Sequence, residues 1–123
     1  MNVVDSSGWL AYFANDTNAA KFAPIIQATD SLLIPTICMY EVFKRILIQR
    51  GEEDALRAVG IMSLGTNIQL TQEIAINAAQ ISTTSKLAMA DSIILATARA
   101  NKATLWTQDA DFEGIVGVEY IPK

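Results

Sequence analysis

Residues 1–13, MNVVDSSGWLAYF, change character within a few positions. Val3 and Val4 suit a short buried strand, since β-branched residues fit a pleated surface. Asp5 halts the apolar run. Trp9, Leu10 and Phe13 then fall at the spacing of a helix facing a core. A strand that ends on a carboxylate and passes straight into a helix is the first half of a β-α unit. Asp5 itself stays open to two readings. It can cap the following helix by accepting backbone N–H groups. It can equally hold a metal, provided other carboxylates reach the same place.

The alternation continues along the chain. NAAKFAPIIQAT (18–29) reads as a second helix, short or kinked at Pro24. SLLIP (31–35) is a strand closed by Pro35. Thr36 is placed to cap a helix running to Arg50, with Gly51 as its C-terminal stop. Residues 52–65 form another helix, NIQL (67–70) a strand, and Thr71 opens a helix over 72–83 that TTSK (83–86) breaks. AMADSIILATARAN (88–101) is apolar nearly all round, which marks a buried helix. ATLWT (103–107) is a strand, DADFEGI (109–115) a turn or short helix, and GVEYI (117–121) the last strand. Strands alternating with helices of about 10–15 residues predict an α/β fold, a parallel sheet covered by helices on both faces. No repeat or linker interrupts the 123 residues, so residues 1–123 read as a single domain.

Composition narrows the chemistry. The chain has no histidine and one cysteine, Cys38. That excludes Ser-His-Asp and Cys-His catalysis, histidine-driven RNA cleavage and nearly every protein zinc site. A lone cysteine fits a reducing, cytoplasmic setting. Neither a membrane-spanning run nor a signal peptide is evident. The net charge of −4 argues against coating nucleic acid by bulk attraction, though not against an enzyme that acts on it.

In open α/β sheets ligands bind beyond the carboxyl ends of the strands. Asp5, Glu41, Asp91, Asp109 and Asp111 fall in or near that region. Each has an ordinary alternative. Asp5 and Asp91 suit helix caps, and Asp109 or Asp111 suits turn chemistry. Glu41 lies on the helix face opposite Met39, Phe43, Ile46 and Leu47, beside Lys44 and Arg45. An exposed Glu41–Arg45 pair would be worth only a few tenths of a kcal/mol. Ile37 and Ile48 flank Glu41 on the same side, however, so that side is expected to cover something. Carboxylates converging in one crevice repel one another unless protonated or metal-bound. Oxygen ligands alone select Mg²⁺ or Mn²⁺.

Four segments, VVDSSGWLAYF, IPTICMYEVFKR, ADSIILATA and LWTQDADF, occur in that order. Together they resemble the PIN domain and, within it, the VapC-type ribonuclease toxins of prokaryotic toxin–antitoxin pairs. The resemblance spans essentially the whole chain. It implies a three-layer α/β/α sandwich with a central parallel sheet of about five strands. It implies an Mg²⁺- or Mn²⁺-dependent endoribonuclease with Asp5, Glu41, Asp91 and Asp109 as the acidic quartet. Thr107 and Ser6 match supporting positions, and Asp111 lies close enough to Asp109 to compete for the fourth place. Asp5 would be the central ligand, Asp91 and Asp109 direct or water-mediated ligands, and Glu41 a ligand or an orienter of the attacking water. With water as nucleophile, the products carry 5′-phosphate and 3′-hydroxyl ends. One or two ions would serve, a pair lying about 3.5–4 Å apart. Lys44, Arg45 and Lys86 are candidates for RNA phosphate contacts, whereas Trp9 and Trp106 suit core packing. The resemblance further implies a homodimer and a cognate antitoxin, with Ile37 and Ile48 as candidate contacts. A PIN-like fold that has lost catalysis and acts as a binding module is the alternative. A phosphoacceptor receiver domain fits poorly, because the first strand ends on one acid and the late strand on WTQD.

Overall fold

The computed structural model describes residues 1–123. Strand β1 (Asn2–Val4) leads into α1 (Ser6–Phe13) and α2 (Ala19–Gln27). Next come β2 (Leu32–Pro35), α3 (Thr36–Arg50), α4 (Glu52–Met62) and β3 (Thr66–Ile68). The chain closes with α5 (Gln72–Ser85), α6 (Met89–Ala100), β4 (Thr104–Thr107) and β5 (Val118–Tyr120). Single 3-10 turns precede β2 and follow β4.

The five strands form one sheet in the order β3-β2-β1-β4-β5, every pair parallel. The six helices flank it, giving the expected three-layer α/β/α sandwich. The chain begins mid-sheet, builds outward through β2 and β3, then returns to lay β4 on the other side of β1. The strand order therefore reverses between β1 and β4, and a crevice opens there beyond their carboxyl ends. Register places Val4 opposite Trp106, and the Asp5 N–H donates to the Trp106 carbonyl at 3.1 Å. The residues just after these two strands are thereby set side by side.

Burial follows the apolar pattern. Val3, Val4, Leu32, Leu33 and Ile34 are buried without alternation, as central strands covered on both faces should be. Ser92 through Ala98 of α6 are all buried. The hydroxyls of Ser92 and Thr97 stay satisfied there by donating to the carbonyls of Ala88 and Ile93, at 2.9 and 2.7 Å. Trp9 is buried and stacks on Phe13. Trp106 donates its indole N–H to Asn2 Oδ1 at 2.9 Å, so both tryptophans serve the fold. No helix is long and apolar enough to cross a membrane.

Several local expectations change. Thr36 does not cap α3. It is the first helical residue, and its hydroxyl donates to the Ile68 carbonyl at 3.2 Å, pinning α3 to the β3 edge. Strand β3 lies at 66–68 rather than 67–70. Helix α5 runs two residues further than expected, because Thr83, Thr84 and Ser85 turn their hydroxyls back onto the Gln80 and Ile81 carbonyls. The break falls at Lys86, which adopts the left-handed conformation with φ 59°. The fully buried stripe of α3 is Cys38, Val42 and Ile46, one position off the predicted face, and Leu47 is exposed.

Candidate metal centre

Asp5 closes β1 and stands at the N-cap of α1, only 2% exposed. Its Oδ1 accepts from the Gly8 N–H at 3.0 Å and from the Ser7 hydroxyl at 2.8 Å. Its Oδ2 accepts from the Thr107 hydroxyl at 2.6 Å. Asp5 thus caps α1 and still keeps a free lone pair on Oδ2. Thr107, buried at the end of β4, also accepts the Asp109 N–H at 2.9 Å. One hydroxyl thus links the first acid to the last across the β1–β4 junction.

The other acids are similarly tethered. Glu41 Oε1 accepts from the Ser6 hydroxyl at 2.5 Å, which draws α3 toward the start of α1. It forms no ion pair with Arg45; both salt bridges in the molecule belong to Arg57. Asp109 Oδ1 accepts the Asp111 N–H at 2.9 Å, the expected turn chemistry. Asp91 lies in the first turn of α6 but is not its cap, a position held by Ala88. Carboxylate oxygens of Asp91, Asp109 and the exposed Asp111 lie within 4.8 Å of one another. Asp5, Glu41, Asp91 and Asp109 line one cavity of about 420 Å³. All four predicted acids are thus brought together, and Asp111 joins from the rim.

The electrostatics reflect this crowding. Burial pushes the Asp5 carboxyl up to about 6, against the hydrogen bonds from Thr107, Ser7 and Gly8, and the charge of Asp109 adds to the rise. Asp91 is pushed up to about 7, by burial first and then by Asp109, Asp5, Glu41 and Asp111. The pocket disfavours its own negative charge, and a bound cation would reverse that preference.

The donor set fits a hard divalent ion. Carboxylate and hydroxyl oxygens supply it, and the chain has no histidine. Cys38 is no soft ligand in waiting. It is wholly buried, with Sγ 4.0 Å from the Val4 carbonyl oxygen. Burial, then the charge of Asp5, push its thiol well up.

Lys44 and Arg45 line the same cavity, as does Ile48, whereas Lys86 does not. Ile48 is 73% exposed at its edge, while Ile37 is partly buried and packs against the core. Ser7 was missed. Its hydroxyl donates to Asp5 and accepts the Gln108 N–H at 3.3 Å, joining both strand ends. Its position two residues after a capping aspartate was the available signal.

A family model described as PIN domain matches residues 3–117. No curated protein matches the chain. A toxin–antitoxin complex from Klebsiella pneumoniae holds a similar chain, 26% identical, with TM-score 0.81 over 98% of this chain and 100% of that one. A sarcin-ricin loop cleaving toxin from Mycobacterium tuberculosis is 14% identical, with TM-score 0.74 over 92% of each chain. A VapBC complex from Rickettsia felis bound to a promoter DNA fragment is 16% identical, with TM-score 0.76 over 97% of each. These last two likenesses show the fold alone.

Proposed function

The chain belongs to the PIN domain family, and from that premise we propose that it is an Mg²⁺- or Mn²⁺-dependent endoribonuclease, the toxin of a VapBC-type toxin–antitoxin pair. The observation that carries this reading is the convergence of four acids from four separate segments on the β1–β4 crevice. Glu41 and Asp109 are each held by one oxygen while the other stays free, and Asp5, bonded at both oxygens, keeps a lone pair on Oδ2. Asp5 is fixed chiefly through Oδ1, Glu41 through Oε1 and Asp109 through Oδ1. Carboxylates fixed in this way are ligands oriented before an ion arrives.

Asp5, Asp91 and Asp109 would hold the ion, with Asp111 able to assist from the rim. A divalent ion bound there supplies Lewis acidity at the scissile phosphate and an acidified water. Ser6 fixes Glu41 Oε1, leaving Oε2 to accept a hydrogen bond from the attacking water. Thr107 and Ser7 keep Asp5 in register with Asp109. Lys44 and Arg45 at the cavity wall would bind substrate phosphates. Attack by water leaves 5′-phosphate and 3′-hydroxyl ends. The likeness to one chain of a toxin–antitoxin complex supports a cognate antitoxin, which would use Ile48 beside the cavity. The protein is expected to work as a homodimer.

Sequencing of RNA ends after brief expression tests the reaction. Wild type should yield new 5′-phosphate ends and Asp5→Asn none; 2′,3′-cyclic phosphate ends would overturn the mechanism. Melting with and without Mn²⁺ tests the site. Saturation at about 100 times Kd should add about 2.7 kcal/mol of stability. Asp5→Asn should abolish most of that gain. A wild type indifferent to Mn²⁺ would point instead to a binding module without catalysis.

A further inference from the structure

The acidic cavity continues into a second trough of opposite charge. The two adjoin, with Ser7, Leu10 and Arg45 lining both. The second trough, about 430 Å³, lies between α1 and the C-terminal half of α3. It gathers Arg45, Arg50 and Lys123 against a single acid, Asp16. Asp16 Oδ1 already accepts the Thr17 N–H at 2.9 Å. None of the three cations takes part in an ion pair, since both pairs in the molecule belong to Arg57. In a chain of net charge −4 with nine cations, this is a third of the positive charge gathered unpaired in one place.

The trough also has a fixed polar wall. Asn18, only 3% exposed, donates through Nδ2 to Gln108 Oε1 at 3.1 Å and to the Pro122 carbonyl at 3.1 Å. That bond holds the Gln108 amide by its oxygen. Its N–H groups find no acceptor within the protein and remain available to a ligand. Gln49 lines the same trough.

We propose that this trough is a second substrate subsite, binding a single-stranded RNA segment that flanks the scissile bond. Arg50 and Lys123 pair with its phosphates, and the amides of Gln108 and Gln49 meet base edges or sugar hydroxyls. The assignment rests on the ribonuclease reading of the adjoining acidic cavity. Unpaired cations and amide donors lining one trough favour a polyanionic strand over a protein segment, which would bring fewer charges to neutralise.

The test is fluorescence anisotropy of a labelled single-stranded oligoribonucleotide, titrated in EDTA over a range of salt. Cleavage plays no part in that measurement. Arg50→Gln combined with Lys123→Gln should weaken binding. It should flatten the dependence of log K on log salt by about 1.4, at about 0.7 per lost phosphate contact. Lys21→Gln, exposed on α2, should change neither. The Mn²⁺ melting shift of the double variant should equal that of wild type, which shows that the acidic cavity is intact. Unchanged affinity and slope in the double variant would overturn the subsite and hand the trough to a protein partner. Loss of the Mn²⁺ shift in wild type would sink the ribonuclease reading without moving the anisotropy result.

Discussion

Asp5 serves both the fold and the site, and the two roles pull against each other. Its cap and its hydrogen bonds stabilise the carboxylate, yet burial disfavours the charge more strongly, lifting the carboxyl from 3.8 to about 6. The folded protein therefore binds more protons than the unfolded chain between those values, and stability falls as pH rises through that window. Asp91 extends the fall to about 7. Metal-free protein should be more stable at pH 5 than at pH 8, by on the order of 1 kcal/mol from Asp5 alone. Urea midpoints in EDTA measure this, and Asp5→Asn should raise the pH 8 midpoint and reduce the pH dependence. A wild-type midpoint that climbs from pH 5 to pH 8 would contradict it. At this scale Asp5, Asp91 and Asp109 were readable in the sequence because each follows a strand or opens a helix, and Glu41, inside α3, stood out by Ile37 and Ile48 on its side. Ser7 was not, because its function depends on Gln108, a residue 101 positions away that only the β1–β4 pairing brings near.

The elements were largely readable as well, since apolar periodicity decides where strands and helices lie. Their ends were not, because ends depend on partners across space. Thr36 turned from cap to cross-link because β3 offered a carbonyl. Helix α5 outlasted its apolar pattern because three hydroxyls bonded back to its own turns. Two glycines separate local from tertiary demands. Gly60 in α4 has open space around it, so Gly60→Ala should stabilise by up to about 1 kcal/mol through helix propensity. Gly65, entering β3, is pressed against the sheet. A Cβ there would meet the Leu32 carbonyl oxygen at 2.8 Å and clash with Ile34. Gly65→Ala should destabilise by about 1–3 kcal/mol. Thermal melts of the pair, moving in opposite directions, check both.

For the molecule as a whole, the strand order β3-β2-β1-β4-β5 places a repulsive cluster at the one point where the sheet's winding reverses. The sequence allowed a parallel sheet with covered faces. It did not show which strands are neighbours, and so not which acids meet. Crowded charge withholds stability from this end of the molecule, and a bound cation would restore it. Cys38 turns that into something countable. The only thiol in the chain lies wholly buried on α3, beneath the acids. A thiol-reactive dye in excess can reach it only when the molecule opens, so the labelling rate is a clock for opening events. Saturating Mn²⁺ should slow that clock in wild type and leave it unchanged in Asp5→Asn. A fast rate indifferent to Mn²⁺ would mean that the core above the sheet breathes independently of its charged end.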